Sequence, residues 1–501
     1  MSVIKIQNLS FTHEGSFVPV FENVNLMLDT DWKLGVVGRN GRGKTTLLQL
    51  LAGKYEYRGS ITPKLSCTYF PFPVQGKDRL TIEVLQEVCS EAQEWELLRE
   101  LSLLKAEDCL YLPFCSLSSG EQSKALLAAL FLREEYLLID EPTNHLDTEG
   151  RQIVASYLKR KKGFLLVSHD RAFLDDCVDH ILSINKSNIE VQSGNFSSWF
   201  LNFERTQAFE LSQSEKLKRE ISKLSETSKR TTSWANRAEE AKYNTKIGGL
   251  RPDRGYIGHK AAKVMKRAKI TEARQEKAIA EKSSLLKNRE TSESLKLFPL
   301  TPCKERLLSL SDVALFYGER KITTPLRFEL LRGERVALEG KNGSGKSTLL
   351  KLVLGKEIKH SGTFALASGL RISYVPQTAE AFSGSLSAYA REKEIDETLF
   401  KAILQKLGFE KEDFEREPSR YSEGQKKKVL IAGSLCERAH LYLWDEPLNY
   451  LDLYARLQME KLIVTYRPTM LFVEHDRAFQ AAVATKVVRL TKESANATIE
   501  P

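Results

Sequence analysis

Short apolar runs recur at matched positions in the two halves of this chain. Leu34 to Val37, Tyr136 to Ile139 and Phe164 to Val167 have counterparts at Arg335 to Leu338, Leu441 to Trp444 and Leu471 to Val473. Short runs without polar alternation are the pattern of strands buried on both faces of a sheet. A helix-like stretch follows the first run of each half, at Thr46 to Leu51 and Thr348 to Leu354. Between the halves the pattern changes. From about Phe203 to Glu240 there is no Pro or Gly, and Leu217, Ile221 and Leu224 recur at i, i+4 and i+7. A second Gly- and Pro-free stretch, His259 to about Glu290, places Ala261, Val264 and Ala268 at i, i+3 and i+7. Each predicts a long helix. The second returns antiparallel to the first around a tip loop, 243–258, broken by glycines and a proline. The expected organisation is α/β: a first domain at 1–200, a helical-hairpin linker at 201–300 and a second domain at 301–501.

The turns after the first runs carry chemistry. Gly38-Arg39-Asn40-Gly41-Arg42-Gly43-Lys44-Thr45 and Gly340-Lys341-Asn342-Gly343-Ser344-Gly345-Lys346-Ser347 both fit Gly, four residues, then Gly-Lys-Thr/Ser. In a strand-loop-helix setting this is a phosphate loop, whose glycines turn backbone N–H groups toward the phosphates at a helix N-terminus. Lys44 and Lys346 are placed for β/γ oxygens, and the hydroxyls of Thr45 and Ser347 for Mg²⁺. Thr46 and Thr348 extend the cradle. Two loops predict two ATP sites.

Tyr136 to Ile139 ends in Asp140-Glu141, and Leu441 to Trp444 ends in Asp445-Glu446. Asp140 and Asp445 are expected to hold Mg²⁺ through water, and Glu141 and Glu446 to orient and deprotonate the attacking water. His169 and His475 follow further apolar runs, placed to sense the γ-phosphate. Lysine and glutamate are 97 residues apart in one half and 100 in the other, and glutamate and histidine 28 and 29. Matched intervals of this kind mark an internal repeat.

Leu117-Ser118-Ser119-Gly120-Glu121-Gln122 and Tyr421-Ser422-Glu423-Gly424-Gln425 resemble the signature motif of ABC ATPases. Glu141-Pro142-Thr143-Asn144-His145-Leu146-Asp147 resembles the corresponding stretch of the ABC-F subfamily, with a near copy at Glu446 to Asp452. The resemblance spans essentially the whole chain. It implies two tandem ABC-type P-loop ATPase domains, no membrane domain, and a monomer whose halves pair. Each signature loop, through Ser118 and Gly120 or Ser422 and Gly424, would cap the nucleotide held by the other half. It also implies an adenine-stacking aromatic at Tyr317, with His13 at the equivalent first-half position, and a Mg²⁺- and water-holding glutamine at Gln377. The first half departs from this pattern with Phe72, Gln75 lying three residues on, and the third signature position is Ser119 or Glu423 rather than glycine. Two unequal sites are expected, the one containing Phe72 slower.

Composition adds location to this picture. Seven scattered cysteines without a Cys-x-x-Cys spacing argue against a disulfide framework or zinc site. No stretch approaches the roughly 20 apolar residues of a membrane span, and Met1 to Ile6 lacks a signal-peptide pattern. A cytoplasmic protein is expected. The net charge is +9, yet residues 201–300 alone hold 23 Lys and Arg against 13 Asp and Glu. A basic excess confined to the linker suits a polyanionic partner. Helices of this length would place the tip roughly 50 Å from the ATPase body. Leu250, Arg251, Arg254 and Tyr256 at the tip, with Lys263, Lys266 and Arg267 beyond it, are candidates for contact with folded RNA.

The run from Gly255 to Arg267 and the stretch Glu446-Pro447-Leu448-Asn449-Tyr450 resemble bacterial ABC-F proteins that protect ribosomes from lincosamide, pleuromutilin and streptogramin A antibiotics. That resemblance implies binding at the ribosomal exit site, beside peptidyl-tRNA, with the tip reaching large-subunit rRNA at the peptidyl transferase centre. The alternatives are a housekeeping ABC-F translation factor and an energising subunit of a drug exporter. The sixteen-residue tip loop favours the first reading over housekeeping, and a basic hairpin has no evident use in the exporter.

Overall fold

The unalternating apolar runs become the central strands of two parallel sheets. The computed structural model describes residues 2–209 and 295–491 apart from 16–17, 64, 145, 186–187, 379–383, 410 and 450, together with 212, 216, 219, 222 and 226. The chain divides into two compact units, Met1–Trp199 with Ser292–Pro501, and Phe200–Thr291. The described residues of the latter are helical. The tip loop and the seven candidate contact residues Leu250, Arg251, Arg254, Tyr256, Lys263, Lys266 and Arg267 lie outside the described residues.

In the first half the strands are β1 (Val3–Phe11), β2 (Phe21–Asp29), β3 (Lys33–Gly38), β4 (Arg58–Thr62), β5 (Cys67–Phe70), β6 (Tyr136–Asp140), β7 (Phe164–Val167), β8 (His180–Ile184) and β9 (Ile189–Ser193). Among the described residues they form a six-stranded sheet, β5-β6-β7-β3-β8-β9, and an antiparallel one, β2-β1-β4. All pairs from β5 to β8 are parallel. Every residue of β6 and β7 is buried, which is why both read as continuous apolar runs. Helix Lys44–Leu51 lies between the sheets: its Leu47 and Leu48 share one core with Ile4 and Ile6 of β1 and Leu138 and Leu165 of the parallel sheet.

The second half repeats the plan with β10 (Arg306–Tyr317), β11 (Arg320–Lys321), β12 (Leu326–Leu331), β13 (Arg335–Glu339), β14 (His360–Leu366), β15 (Ile372–Val375), β16 (Leu441–Asp445), β17 (Met470–Val473) and β18 (Lys486–Arg489). The parallel order is β15-β16-β17-β13-β18, and β10 pairs with β11, β12 and β14 in the antiparallel layer. In both halves the strand before the phosphate loop is flanked by two later strands, so the loop opens at the carboxyl edge where such sheets bind ligands.

A helix opens at 196, seven residues before the sequence predicts one. Asn195 sets the start: its Oδ1 accepts Ser198 N at 3.1 Å, an N-cap that hydrophobic spacing does not register.

Candidate functional site

Each phosphate loop turns into its helix through a left-handed glycine. Gly43 (φ 87°) precedes Lys44 and Gly345 (φ 90°) precedes Lys346. A Cβ on Gly43 would also meet Val20 Cγ1 at 2.5 Å and Phe21 Cζ at 2.8 Å, so both dihedral and space require glycine. Lys44 Nζ donates to the carbonyls of Gly38 (2.8 Å) and Arg39 (3.1 Å) and to Asn40 Oδ1 (3.3 Å). Lys346 Nζ makes the matching bonds to Gly340 O (2.7 Å) and Lys341 O (3.0 Å). Burial lowers both lysine pKa values, opposed by the nearby acids, Asp452 first for Lys44 and Glu446 first for Lys346. Two desolvated cations held on their own loops are poised to exchange carbonyls for phosphate oxygens.

Thr45 Oγ1 donates to Asp140 Oδ2 at 2.7 Å, and Ser347 hydrogen-bonds Asp445. Burial raises both aspartates above the usual carboxylate range, against those hydroxyl bonds. Asp445 Oδ1 is buried without a hydrogen-bond partner. One hydroxyl and one carboxylate of hard oxygen character, with a carboxylate oxygen left over, fit a Mg²⁺ whose remaining ligands are water and phosphate. Among the described residues no cluster of three or more His, Cys, Asp or Glu forms an all-protein metal cage.

The glutamates share a strained backbone and differ in their surroundings. Glu141 (φ 50°) and Glu446 (φ 48°) both occupy the left-handed region, unusual for a non-glycine residue, and their N–H groups donate to Val167 O and Val473 O at 2.9 Å. Glu446 accepts Gln377 Nε2 at 2.9 Å and Asn449 Nδ2 at 2.7 Å, with His475 Nε2 at 3.5 Å. Burial alone would raise it, but His475, Gln377 and Asn449 hold it down at about 2. Glu141 has His169 Nε2 at 3.5 Å, and its buried Oε1 makes no hydrogen bond. Burial pushes it up to about 7, against the attraction of Arg456 and Lys44. Burial, then Lys44, drives His169 well below its usual pKa. Phe72 offers Glu141 no donor, and Gln75 is exposed, its carbonyl accepting Arg79.

The two signature loops keep one geometry despite Ser119 and Glu423. Ser118 Oγ accepts Glu121 N at 3.3 Å, and Ser422 Oγ accepts Gln425 N at 3.2 Å, each closing a capping box at its helix start. Ser119 and Glu423 stand first in those helices without positive φ, so glycine is not needed there.

The halves meet around these loops. A cavity of about 730 Å³ is lined by Tyr317, Asn342, Gly343, Gly345, Lys346, Ser347, Thr348, Gln377, Glu446 and His475 of the second half, and by Ser118 and Gly120 of the first. Tyr317 is 82% exposed, its ring free for stacking. At the other phosphate loop, Asn40 N donates to Asp452 Oδ2 at 3.0 Å and Arg39 lies over the Tyr454 ring, 5.5 Å from its centre. Lys428, on the helix that Ser422 caps, lies near enough to Lys44 and His169 to lower both. No described contact joins Ser422 or Gly424 to Lys44. His13 is exposed too, but its ring makes T-shaped contacts with Phe11 and Tyr55 and approaches Thr46 Oγ1 at 3.4 Å.

Two features escaped the sequence reading. Arg151 Nη1 meets Asp170 Oδ2 at 2.8 Å, and Arg456 Nη1 meets Asp476 Oδ2 at 3.3 Å. Both arginines stand ten residues after their glutamate, and both aspartates follow the histidine. The same repeat arithmetic locates them. Arg456→Ala would strand a fully buried carboxylate, and is expected to cost about 3 kcal/mol, read as a fall in thermal unfolding midpoint of roughly 5–10 °C. The second feature is Lys427, 1% exposed, whose burial lowers it to about 8.

A family model described as ABC transporter matches residues 21–144 and 323–449. "Ribosome protection protein VmlR" of Bacillus subtilis (strain 168) is 29% identical over 489 residues, 95% of this chain and 84% of that protein. "Energy-dependent translational throttle protein EttA" of Escherichia coli (strain K12) is 26% identical over 533 residues, 95% of this chain and 90% of that protein. Among solved structures, the complex of archaeal ribosomal stalk protein aP1 and archaeal ribosome recycling factor aABCE1 aligns with a TM-score of 0.62 at 21% identity. It covers 94% of this chain and 85% of that one, a likeness of fold. No helix among the described residues is long and apolar enough to cross a membrane.

Proposed function

We propose, from the premise that this chain belongs to the ABC family of ATPases, in its ABC-F branch, that it binds the bacterial ribosome and protects it from antibiotics acting at the peptidyl transferase centre. The observation that carries this reading is the likeness, along 95% of the chain, to a ribosome protection protein. The basic linker and its long tip support it: a cytoplasmic monomer would bind at the exit site, beside peptidyl-tRNA, with Leu250, Arg251, Arg254 and Tyr256 nearest the drug site and Lys263, Lys266 and Arg267 on rRNA phosphates. A second reading, a translation factor with no drug role, is favoured by the comparable likeness to a translational throttle protein.

The chain's own residues give a mechanism. ATP at each phosphate loop draws the halves together, with Lys44 and Lys346 on β/γ oxygens and the Ser118 and Ser422 loops capping the opposite nucleotide. Tyr317 stacks on adenine at the second site. Mg²⁺, held through Thr45 and Asp140 or Ser347 and Asp445, would supply charge neutralisation on the phosphates. Turning an open population almost wholly closed takes about 5 kcal/mol of differential binding, which two fully coordinated triphosphates can provide. Glu141 and Glu446 take the proton of the attacking water, with His169 and His475 beside them. Loss of the γ-phosphate contacts then opens the halves and releases the ribosome.

Growth of a susceptible bacterial host in lincomycin, a pleuromutilin and a macrolide tests the reading. Cells expressing the wild type should grow at drug concentrations that stop cells expressing Glu141→Gln/Glu446→Gln. Equal sensitivity, with soluble ribosome-bound protein in both, would select the translation-factor reading.

A further inference from the structure

Lys427 sits on the helix that Ser422 opens and points away from the signature loop into its own half. Its ammonium donates to Pro376 O (2.6 Å), Gln377 O (3.1 Å) and Asp445 O (2.9 Å), so all three hydrogens are engaged by backbone carbonyls. Two of those carbonyls flank the glutamine that donates to Glu446, and the third belongs to the residue just before Glu446, where the chain enters its left-handed turn. The position in register in the first half is Ser123, whose hydroxyl returns to Ser119 O at 2.9 Å within its own helix. No ammonium there ties the helix to the glutamate strand.

A second difference accompanies this one. Glu474, 2% exposed, accepts Leu448 N at 3.1 Å and His475 N at 2.9 Å, bracing the turn after Glu446 against the histidine. The first half has Ser168 at that place, whose Oγ accepts Asp170 N at 3.2 Å. The second half has thus placed a buried cation and a buried anion on either side of Glu446, where the first half has two serines.

We propose that Lys427 is a positioning residue for hydrolysis: it fixes Gln377 and Glu446 relative to each other and fastens both to the helix whose N-terminus carries Ser422. This rests on the assignment of Glu446 as the second site's general base. In the proposed closed state the Ser422 end of that helix caps the first nucleotide, so Lys427 would make the second site's alignment depend on the state of the first. Ser123 provides no second link of this kind, so the coupling passes through the Lys427 helix and is felt at both sites.

The test uses the full chain in two backgrounds, Glu141→Gln, which leaves the second site, and Glu446→Gln, which leaves the first. Lys427→Met should lower kcat in the Glu141→Gln background by roughly tenfold to a hundredfold, the scale of a misplaced catalytic group, with KM for ATP within about twofold. The fall should be at least about fivefold smaller in the Glu446→Gln background. Lys427→Gln, which can still donate to two of the carbonyls, should recover part of the loss, and it serves as the readout if the methionine variant does not fold. Equal losses in both backgrounds, or a raised KM at constant kcat, would reduce Lys427 to a packing residue. Hydrolysis in the Glu141→Gln/Glu446→Gln double variant equal to wild type would remove the assignment of Glu446 itself. Loss of hydrolysis there, with Lys427→Met as fast as its parent, would remove only the positioning role.

Discussion

Glu141→Gln combined with Glu446→Gln is expected to lower ATP turnover by roughly a thousandfold or more, since a positioned general base contributes about 10²–10⁴. ATP should remain bound, because the phosphate loops, Tyr317 and the signature serines are untouched. The singles should differ. Glu446 is held by Gln377 and Asn449, whereas Glu141 has a buried oxygen without a hydrogen bond and no glutamine beside it. Glu446→Gln should therefore remove most of the wild-type turnover and Glu141→Gln the smaller share. Since release follows hydrolysis in the proposed cycle, the double variant should stay with ribosomes pelleted through sucrose in ATP. Wild type should leave them as ATP is consumed. Ready dissociation of the double variant in ATP would sink the link between hydrolysis and release.

The unequal surroundings of the two glutamates were legible in the sequence, where Phe72 stands opposite Gln377, because that difference falls inside a repeat whose other intervals match. The central strands were equally legible: β6, β7, β16 and β17 are buried on both faces, and burial on both faces leaves an unbroken apolar run. The antiparallel layer was not. β1 buries Ile4, Ile6, Leu9 and Phe11, but its register shifts between Ile6 and Leu9 and again between Leu9 and Phe11. Each bulge breaks the two-residue alternation by which a one-faced strand is recognised. Lys427 was hidden for a different reason. It stands in Lys426-Lys427-Lys428, which reads as a solvated basic face although Lys427 and Lys428 are both buried, and the convergence of Pro376, Gln377 and Asp445 carbonyls is what sets Lys427 apart. The pairing of Asn40 with Asp452 was beyond any local pattern, since it joins residues 412 apart and depends on how the two halves meet.

The other large effect concerns the linker, where the charge pattern alone sets the expectation. Lys263, Lys266 and Arg267 changed together to Gln should weaken ribosome binding by roughly two orders of magnitude near 0.1 M salt, and should flatten the slope of log K against log salt by up to about three. The size follows from counterion release. Each cation that neutralises an rRNA phosphate frees a condensed ion, and the entropy of that release grows as bulk salt falls. ATP hydrolysis in the absence of ribosomes should stay at the wild-type rate, because these residues belong to a unit separate from the phosphate loops. Lys263→Arg with Lys266→Arg should keep both affinity and slope, as charge and reach are preserved. A triple variant that matches wild type across a salt titration would mean that these side chains are a solvated face. The polyanion contact would then have to lie among Arg251, Arg254 and Tyr256 at the tip.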